Sequence, residues 1–232
     1  RHLPVVRENG EFCGVVTLTD LIKALSTMHS RNVGLRDENS KLRVLAIEDP
    51  LTGLPNRRAM EVDIAHTSAV AAREDRAYAL ALLDIDCFKK YNDNYGHPAG
   101  DIVLRQVADT LDKSRRSADK LYRYGGEEFL LLMPFTNEEG SLIATSRMLE
   151  NIRAKAIPHA YSPCGIVTVS IGLAISNHPA SWEELLETAD SALYRAKESG
   201  RNRLHANFDT ELNSDMSLPG AKVLEFTGTR PN

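Results

Sequence analysis

Three carboxylates stand where the chain must turn: Asp84 closes an apolar run, and Glu127-Glu128 follow a Gly-Gly pair. The stretch Arg123-Tyr124-Gly125-Gly126-Glu127-Glu128-Phe129 lies between the apolar runs Leu121-Tyr122 and Phe129 to Met133, so it reads as the tip of a β-hairpin. Two glycines let another molecule approach the backbone closely. Adjacent acids on a strand would point to opposite faces. That combination suits a bound phosphate ester with a divalent cation, although a plain Gly-Gly hairpin with solvated acids fits these residues equally well. The run Tyr78 to Leu83 is apolar without a break, as expected of a central strand buried on both faces. It ends Asp84-Ile85-Asp86, at the lip of a sheet. Carboxylates with a backbone carbonyl such as that of Ile85 are hard oxygen ligands, suited to Mg²⁺ or Mn²⁺ carried with substrate phosphates. A lone Asp at a strand end is ordinarily a solvated cap; the acidic hairpin favours the metal reading.

The elements that must position these groups follow in order. Asp49-Pro50-Leu51-Thr52-Gly53-Leu54-Pro55-Asn56 breaks the chain, and Asn56 caps a helix with Met60, Ile64 and Thr67 on one face. After strand 78–83 come a helix from about Ala99 to Ser114, the hairpin 121–133, and a helix Glu138 to Ala156 with acids in its first turn. Strand Ile166 to Ile175 alternates strictly, which predicts a sheet covered on one side. The last helix opens with a capping box, Ser181 and Glu184, buries Leu185, Ala189, Ala192, Leu193 and Ala196, and stops at Gly200. The order is βαββαβ, a ferredoxin-like α/β (α+β) fold with an antiparallel sheet backed by helices. In it the first strand lies beside the hairpin, so Asp84 and Glu127-Glu128 converge. The polar tail beyond Phe208 is expected to be loose.

Upstream, Leu3 to Val6 and Phe12 to Leu18 read as two strands around an Asn-Gly turn, with Thr19 capping a helix from Asp20. Such a short ββα unit cannot bury its own apolar face. Leu21, Met28, Leu35 and Leu42 fall seven apart, as do Leu25, Asn32, Asn39 and Ala46, which is coiled-coil spacing; Asn at the a positions favours a parallel pair. A lone amphipathic linker helix is the other reading of this stalk. The expected segments are 1–30, a partial ββα module; 21–48, the helical stalk; 49–206, the βαββαβ domain; and 207–232, a flexible tail.

Composition narrows the function. The 232 residues are 42% hydrophobic, enough for a sizeable core. A net charge of -4 leaves no electrostatic footprint for nucleic acid. Three scattered cysteines without metal-type spacing suit the reducing cytoplasm, and no apolar run approaches a membrane span. The chain opens on Arg1 in mid-pattern and reads as part of something longer.

Further motifs now carry a resemblance. The segment Phe88-Lys89-Lys90-Tyr91-Asn92-Asp93-Asn94-Tyr95-Gly96-His97-Pro98-Ala99-Gly100-Asp101, the hairpin 123–129, the opening Asp49 to Arg58, and the closing Asp190, Leu193-Tyr194, Ala196-Lys197, Gly200-Arg201-Asn202 together resemble the GGDEF-domain diguanylate cyclases, in the GGEEF variant. The resemblance implies a nucleotidyl-cyclase palm and condensation of two GTP into cyclic di-GMP and two pyrophosphates, each subunit of a homodimer holding one GTP. It assigns Asp84, the Ile85 carbonyl and Glu128 to the metal, with Glu127 either joining them or activating the ribose 3′-hydroxyl. Asn92 and Asp101 would read guanine, since a carboxylate accepts from N1–H and the exocyclic amine that adenine lacks. Phe88, Lys89, Lys197 and Arg201 would bind the terminal phosphates, and His97 would support the loop near the base; Lys197 also simply complements a helix dipole. Arg116-Ser117-Ala118-Asp119 matches the family's product-inhibition site for cyclic di-GMP, with Arg147 as a second arginine. Alone, that R-x-x-D is an ordinary surface pair.

Arg1 to Val6 with Gly14 to Asp20 resembles the second half of a CBS module, in which Thr17 and Asp20 positions contact ribose and phosphate. An adenine nucleotide would belong to a complete CBS pair, and stalk and module together imply a homodimer. The reading is a cytoplasmic, Mg²⁺-dependent (or Mn²⁺-dependent) cyclase under sensory control. An idle cyclic di-GMP receptor is the alternative, and an RNA-binding ferredoxin-like domain is disfavoured by the lack of basic and aromatic clustering on strand faces.

Overall fold

The computed structural model describes residues 2–17, 47–176 and 181–208, with isolated helical positions between 19 and 28. Two compact units divide the chain, Arg1–Ala46 and Ile47–Asn232. In the first, β1 (His2–Val6) pairs antiparallel with β2 (Phe12–Thr17). Leu3, Val6 and Phe12 are exposed, as expected of a unit too small to bury them. The helix start differs from the sequence reading. The Thr17 hydroxyl accepts from the Asp20 N–H at 3.2 Å, and the Asp20 carboxylate accepts from the Thr17 N–H at 3.0 Å. That reciprocal pair is a capping box built on Thr17 rather than a cap at Thr19. The heptad stalk lies almost wholly outside the described residues, as does the tail beyond 208.

The second unit is built on β3 (Tyr78–Ile85), every residue of which is buried. It is flanked by β5 (Glu128–Met133) and β6 (Val169–Ser176), with β4 (Lys120–Gly125) outside β5 and β7 (Leu204–Phe208) outside β6, in the order β4-β5-β3-β6-β7. Helices α2 (Phe88–Tyr95), α3 (His97–Ser114) and α4 (Glu138–Ala154) pack on one face with Ala79, Ala81, Leu83 and Ile85. Helices α1 (Arg57–Glu74) and α5 (Trp182–Glu198) pack on the other with Tyr78, Leu80 and Leu82. Both expected caps form: the Asn56 side chain accepts from the Arg58 and Ala59 amides, and Ser181 and Glu184 close a capping box.

Two expectations are corrected. The sheet is mixed rather than antiparallel throughout, because β7 adds a parallel fifth strand beside β6. Also, β6 is buried on both faces rather than one. Its second row, Ser170, Gly172, Ala174 and Ser176, is small because α5 lies against it. A Cβ on Gly172 would stand 2.1 Å from the Ala189 carbonyl oxygen and 2.2 Å from the Leu193 nitrogen. The obstruction is helix backbone, which cannot rotate away. Gly172→Ala should therefore destabilise the domain by roughly 2–3 kcal/mol, read as a lowered denaturant midpoint at unchanged m.

α1 is tied to β4 by Asp63, which accepts from the Tyr122 hydroxyl at 2.7 Å and from Lys120 Nζ at 2.8 Å. Burial raises the Asp63 carboxyl, but these two bonds outweigh it and hold the group below its ordinary range. A carboxyl lowered on folding contributes stability that is complete above its unfolded value, about 3.9, and is lost as pH falls through the folded one. The thermal midpoint should fall as the pH is taken below about 4, and Asp63→Asn should flatten that acid limb while lowering the midpoint at neutral pH.

Candidate active site

Asp84 and Glu128 are directly opposed residues of the β3–β5 ladder, so their side chains rise from the same face at adjoining positions. Glu127 lies in the turn before β5, where its carbonyl accepts from the Ile85 N–H at 3.3 Å. The turn itself depends on Gly126, at φ +48°. β5 begins at Glu128, so Glu127 lies outside the strand and strand alternation does not apply to it. Both glutamates feel the charges of Asp84 and Lys197.

Lys197 reaches in from the last turn of α5, and its Nζ lies 2.9 Å from Asp84 Oδ2. The sequence suggested that this lysine binds phosphate or serves the helix dipole; the tertiary fold adds a carboxylate partner. The acids remain in excess of the cation. Burial raises the Asp84 carboxyl, an effect Lys197 offsets in part. Burial and then Asp84 raise Glu127 and Glu128, again against Lys197. Asp84 and Glu128, opposed on the ladder, with Glu127 in the adjoining turn, are hard oxygen donors of the kind a divalent cation takes when it arrives with a phosphate. Among the described residues, no three His, Cys, Asp or Glu side chains already stand at metal-ligand spacing.

Asp86, two residues beyond Asp84, plays a different part. It is 2% exposed and accepts from Thr168 Oγ1 at 2.7 Å, Ser170 Oγ at 2.6 Å and the Asn202 N–H at 3.0 Å. These bonds occupy it structurally. The Asp-x-Asp spacing could not separate the two roles.

The turn is fixed from behind by Arg123. Its Nη1 meets both oxygens of Asp49, at 2.8 and 2.9 Å, and its Nη2 donates to the Gly126 carbonyl at 2.8 Å. Asp49 also accepts from the Thr52 N–H and hydroxyl. The Asp49–Asn56 break is thus fastened to the Gly-Gly turn, a link for which the sequence offered only the two motifs.

Across the β3 end, Cys87 adopts the left-handed conformation and starts α2. That helix was not legible in the sequence: two turns carrying Lys89, Lys90 and Asn92 show no sustained apolar period. The helix expected from Ala99 begins instead at His97. Phe88 is buried beneath α2, while Lys89 and His97 are exposed. Asn92 Oδ1 is buried without a hydrogen-bond partner. It sits against Gly100, where an added Cβ would come within 1.9 Å of it. A buried acceptor left unpaired is costly, and this one lies against the first turn of α3, one residue before Asp101. Gly100, which sequence reasoning named only as part of a motif, leaves the room that the Asn92 side chain occupies. His159, 1% exposed, lies with Nε2 at 3.2 Å from the Cys87 carbonyl and edge-on to Tyr91, bracing this helix from the 157–166 loop.

Arg201 follows α5, exposed and left-handed at φ 62°. At the far end of the domain, the Asp119 carboxylate accepts from the Arg116 N–H at 3.1 Å, closing its own turn. Arg147 Nε and Nη2 donate to the Ser114 carbonyl at 3.0 and 2.7 Å. The Arg116 side chain is exposed at a cavity of about 380 Å³ shared with Arg76, Phe135 and Asn137.

A mixed sheet with helices on both faces and an acidic Gly-Gly hairpin beside the end of its central strand defines the palm-type nucleotidyl cyclases as a class. Residues 46–203 match the family model "Diguanylate cyclase, GGDEF domain", and residues 1–27 match the CBS domain. The chain belongs to the GGDEF family. It is 40% identical over 191 residues to the diguanylate cyclase DgcP of Pseudomonas aeruginosa, covering 81% of this chain and 28% of that protein. The coiled coil and GGDEF domain of DgcB from Caulobacter crescentus, solved with c-di-GMP, superposes with a TM-score of 0.75 at 31% identity, covering 81% of this chain and 99% of that one. The active GGEEF domain of a diguanylate cyclase from Vibrio cholerae superposes at 0.57 with 28% identity, covering 65% and 96%. The chain spans between 28% and 53% of the length of the curated cyclases DgcP, DgcM and DgcS. No described helix is long and apolar enough to cross a membrane.

Proposed function

We propose that residues 49–206 form a diguanylate cyclase that joins two GTP into cyclic di-GMP with release of two pyrophosphates. The observation that carries this reading is the directly opposed Asp84–Glu128 pair, with Glu127 in the adjoining turn and Lys197 at 2.9 Å from Asp84. Its curated relatives bear the same activity in their names. Asp84, the Ile85 carbonyl and Glu128, with Glu127 beside them, would hold Mg²⁺ or Mn²⁺. When bound, that cation supplies Lewis-acid stabilisation of charge on the phosphates.

The chain's own residues do the rest. The unpartnered Asn92 oxygen and Asp101 select guanine by accepting from its N1–H and amine. Backbone amides at Phe88 and Lys89, with Lys197 and Arg201, take the terminal phosphates, and His97 supports the loop around the base. Glu127, raised by burial and by Asp84, takes the proton of a ribose 3′-hydroxyl. The 3′-oxygen forms its bond to the α-phosphorus of the opposite GTP, and the bond to pyrophosphate breaks in line. Repeating the step with the roles exchanged closes the ring, so two copies of the domain must face each other.

Product would bind at Arg116, Asp119 and Arg147. The two arginines flank the end of α3, where Arg147 holds the Ser114 carbonyl and Arg116 opens onto a cavity. The stalk and CBS-type segment would carry the dimer in the cytoplasm, with an adenine nucleotide at the complete CBS pair. Incubating the purified chain with GTP and MgCl₂, then separating nucleotides by chromatography, tests the proposal. Cyclic di-GMP with two equivalents of pyrophosphate is expected; GTP recovered intact at all protein concentrations rejects it.

A further inference from the structure

The residue read above as a phosphate ligand, Arg201, sits in a backbone conformation that its own sequence does not favour. Arg201 and Asn202 are consecutive non-glycine residues at φ 62° and 51°. Side chains disfavour this region, and a pair of such residues persists only where surrounding contacts over-determine it. Those contacts are present, and they converge on Asn202. Its N–H donates to Asp86 Oδ2 at 3.0 Å. Its side-chain oxygen accepts from Arg153 Nε at 2.7 Å, and its carbonyl accepts from Arg153 Nη2. Asn202 is therefore held by its amide, its side chain and its carbonyl at once.

The two holding groups are themselves fixed. Asp86 is immobilised by Thr168, just before β6, and by Ser170 within it. Arg153 projects from the last turn of α4, across the sheet from α5, and pairs with Glu150. A planar guanidinium can meet both oxygens of Asn202 simultaneously, which an ammonium cannot. We propose that Arg153 and Asp86, through Asn202, are positioning residues that hold the Arg201 loop in the one backbone geometry presenting its guanidinium to the substrate's terminal phosphates. This rests on the reading of Arg201 as a phosphate ligand. Arg153 touches no substrate in this arrangement, and α4 gains a role in substrate affinity.

The test combines steady-state kinetics with amide hydrogen exchange on the full chain. Arg153→Ala should raise KM for GTP about tenfold while kcat stays within about threefold. Arg153→Lys should recover only part of that loss. The double variant Arg153→Ala/Arg201→Ala should be no worse than Arg201→Ala alone, because one acts through the other. The Asn202 amide should lose exchange protection in Arg153→Ala. Asn202→Gly, which keeps the left-handed backbone and the amide but deletes the side-chain acceptor, supplies a second variant should Arg153→Ala not fold; it should raise KM with little change in thermal midpoint. Additive effects of Arg153 and Arg201, an unchanged KM, or an Asn202 amide equally protected in wild type and variant would overturn the proposal. Absence of cyclic di-GMP synthesis by wild type would instead reject the functional reading. Amide exchange and binding of inorganic pyrophosphate to wild type and Arg153→Ala would still decide the positioning role.

Discussion

Asp84→Ala should reduce cyclic di-GMP synthesis by about a thousandfold or more, the scale seen when a preorganised electrostatic group is removed from a phosphoryl-transfer site. Asp84 is the residue on which the other charges at the lip are organised. It faces Glu128 across the ladder, pairs with Lys197 at 2.9 Å, and raises the carboxyl of Glu127 in the adjoining turn. Without it Lys197 loses its carboxylate partner and the proposed cation site loses the ligand carried by the central, fully buried strand. The protein should still fold, because Asp84 lies at the open end of β3 and the core beneath it is unchanged. Two readouts separate loss of chemistry from loss of structure. Millimolar Mg²⁺ with GTP should raise the thermal midpoint of wild type and fail to raise that of Asp84→Ala. Binding of cyclic di-GMP at Arg116 should persist in the variant. Retention of even a tenth of wild-type turnover would contradict the assignment of Asp84.

Gly100→Ala should be nearly as damaging, by another route. The methyl group would fall 1.9 Å from Asn92 Oδ1, 3.0 Å from Asn92 Cγ and 3.2 Å from the Phe88 ring. The nearest atom belongs to a side chain, so the helix need not break; Asn92 must leave instead. Guanine then meets an apolar methyl where its donor expected an acceptor, and Phe88 is pressed out of the α2–α3 seam. Leaving those polar groups unmatched costs roughly 3–4 kcal/mol, or about a hundredfold to a thousandfold in GTP affinity. Isothermal titration with a non-hydrolysable GTP analogue measures it directly. The thermal midpoint should move by only a few degrees. Unchanged affinity would show that Asn92 does not read the base. The same substitution at Gly172 has the opposite signature, loss of stability first, because there the obstruction is backbone.

Asn92 also shows how site and fold differ in what they require. For the fold its buried oxygen is a liability, without a hydrogen-bond partner and pressed against Gly100. The aromatic group Phe88, Tyr91 and Tyr95, with His159 against it, gives α2 the rigidity to carry that liability. Among the described residues, three of the six left-handed non-glycine positions, Cys87, Arg201 and Asn202, belong to the segments proposed to hold substrate, while Asp75, Phe135 and Ala156 lie elsewhere.

Features governed by neighbours within a few residues were legible in the sequence. Asn56 and Ser181 cap their helices because an oxygen placed just before a helix reaches free amides two or three residues on. The hairpin at Gly125-Gly126, the buried run of β3 and the position of Asp84 at its end follow from turn chemistry and apolar periodicity, which are local properties. Motif spacing then carried the family. The motif match singles out Asp84, but only the tertiary structure shows what occupies Asp86, whose carboxylate accepts from the Asn202 N–H 116 residues away. The tertiary structure alone gave Lys197 to Asp84, and showed that the small residues of β6 serve the close approach of α5 rather than water. Strand β7 was hidden for the same reason. Five residues of mixed polarity become a strand only when α5 returns them alongside β6, and that pairing energy is written in no local window.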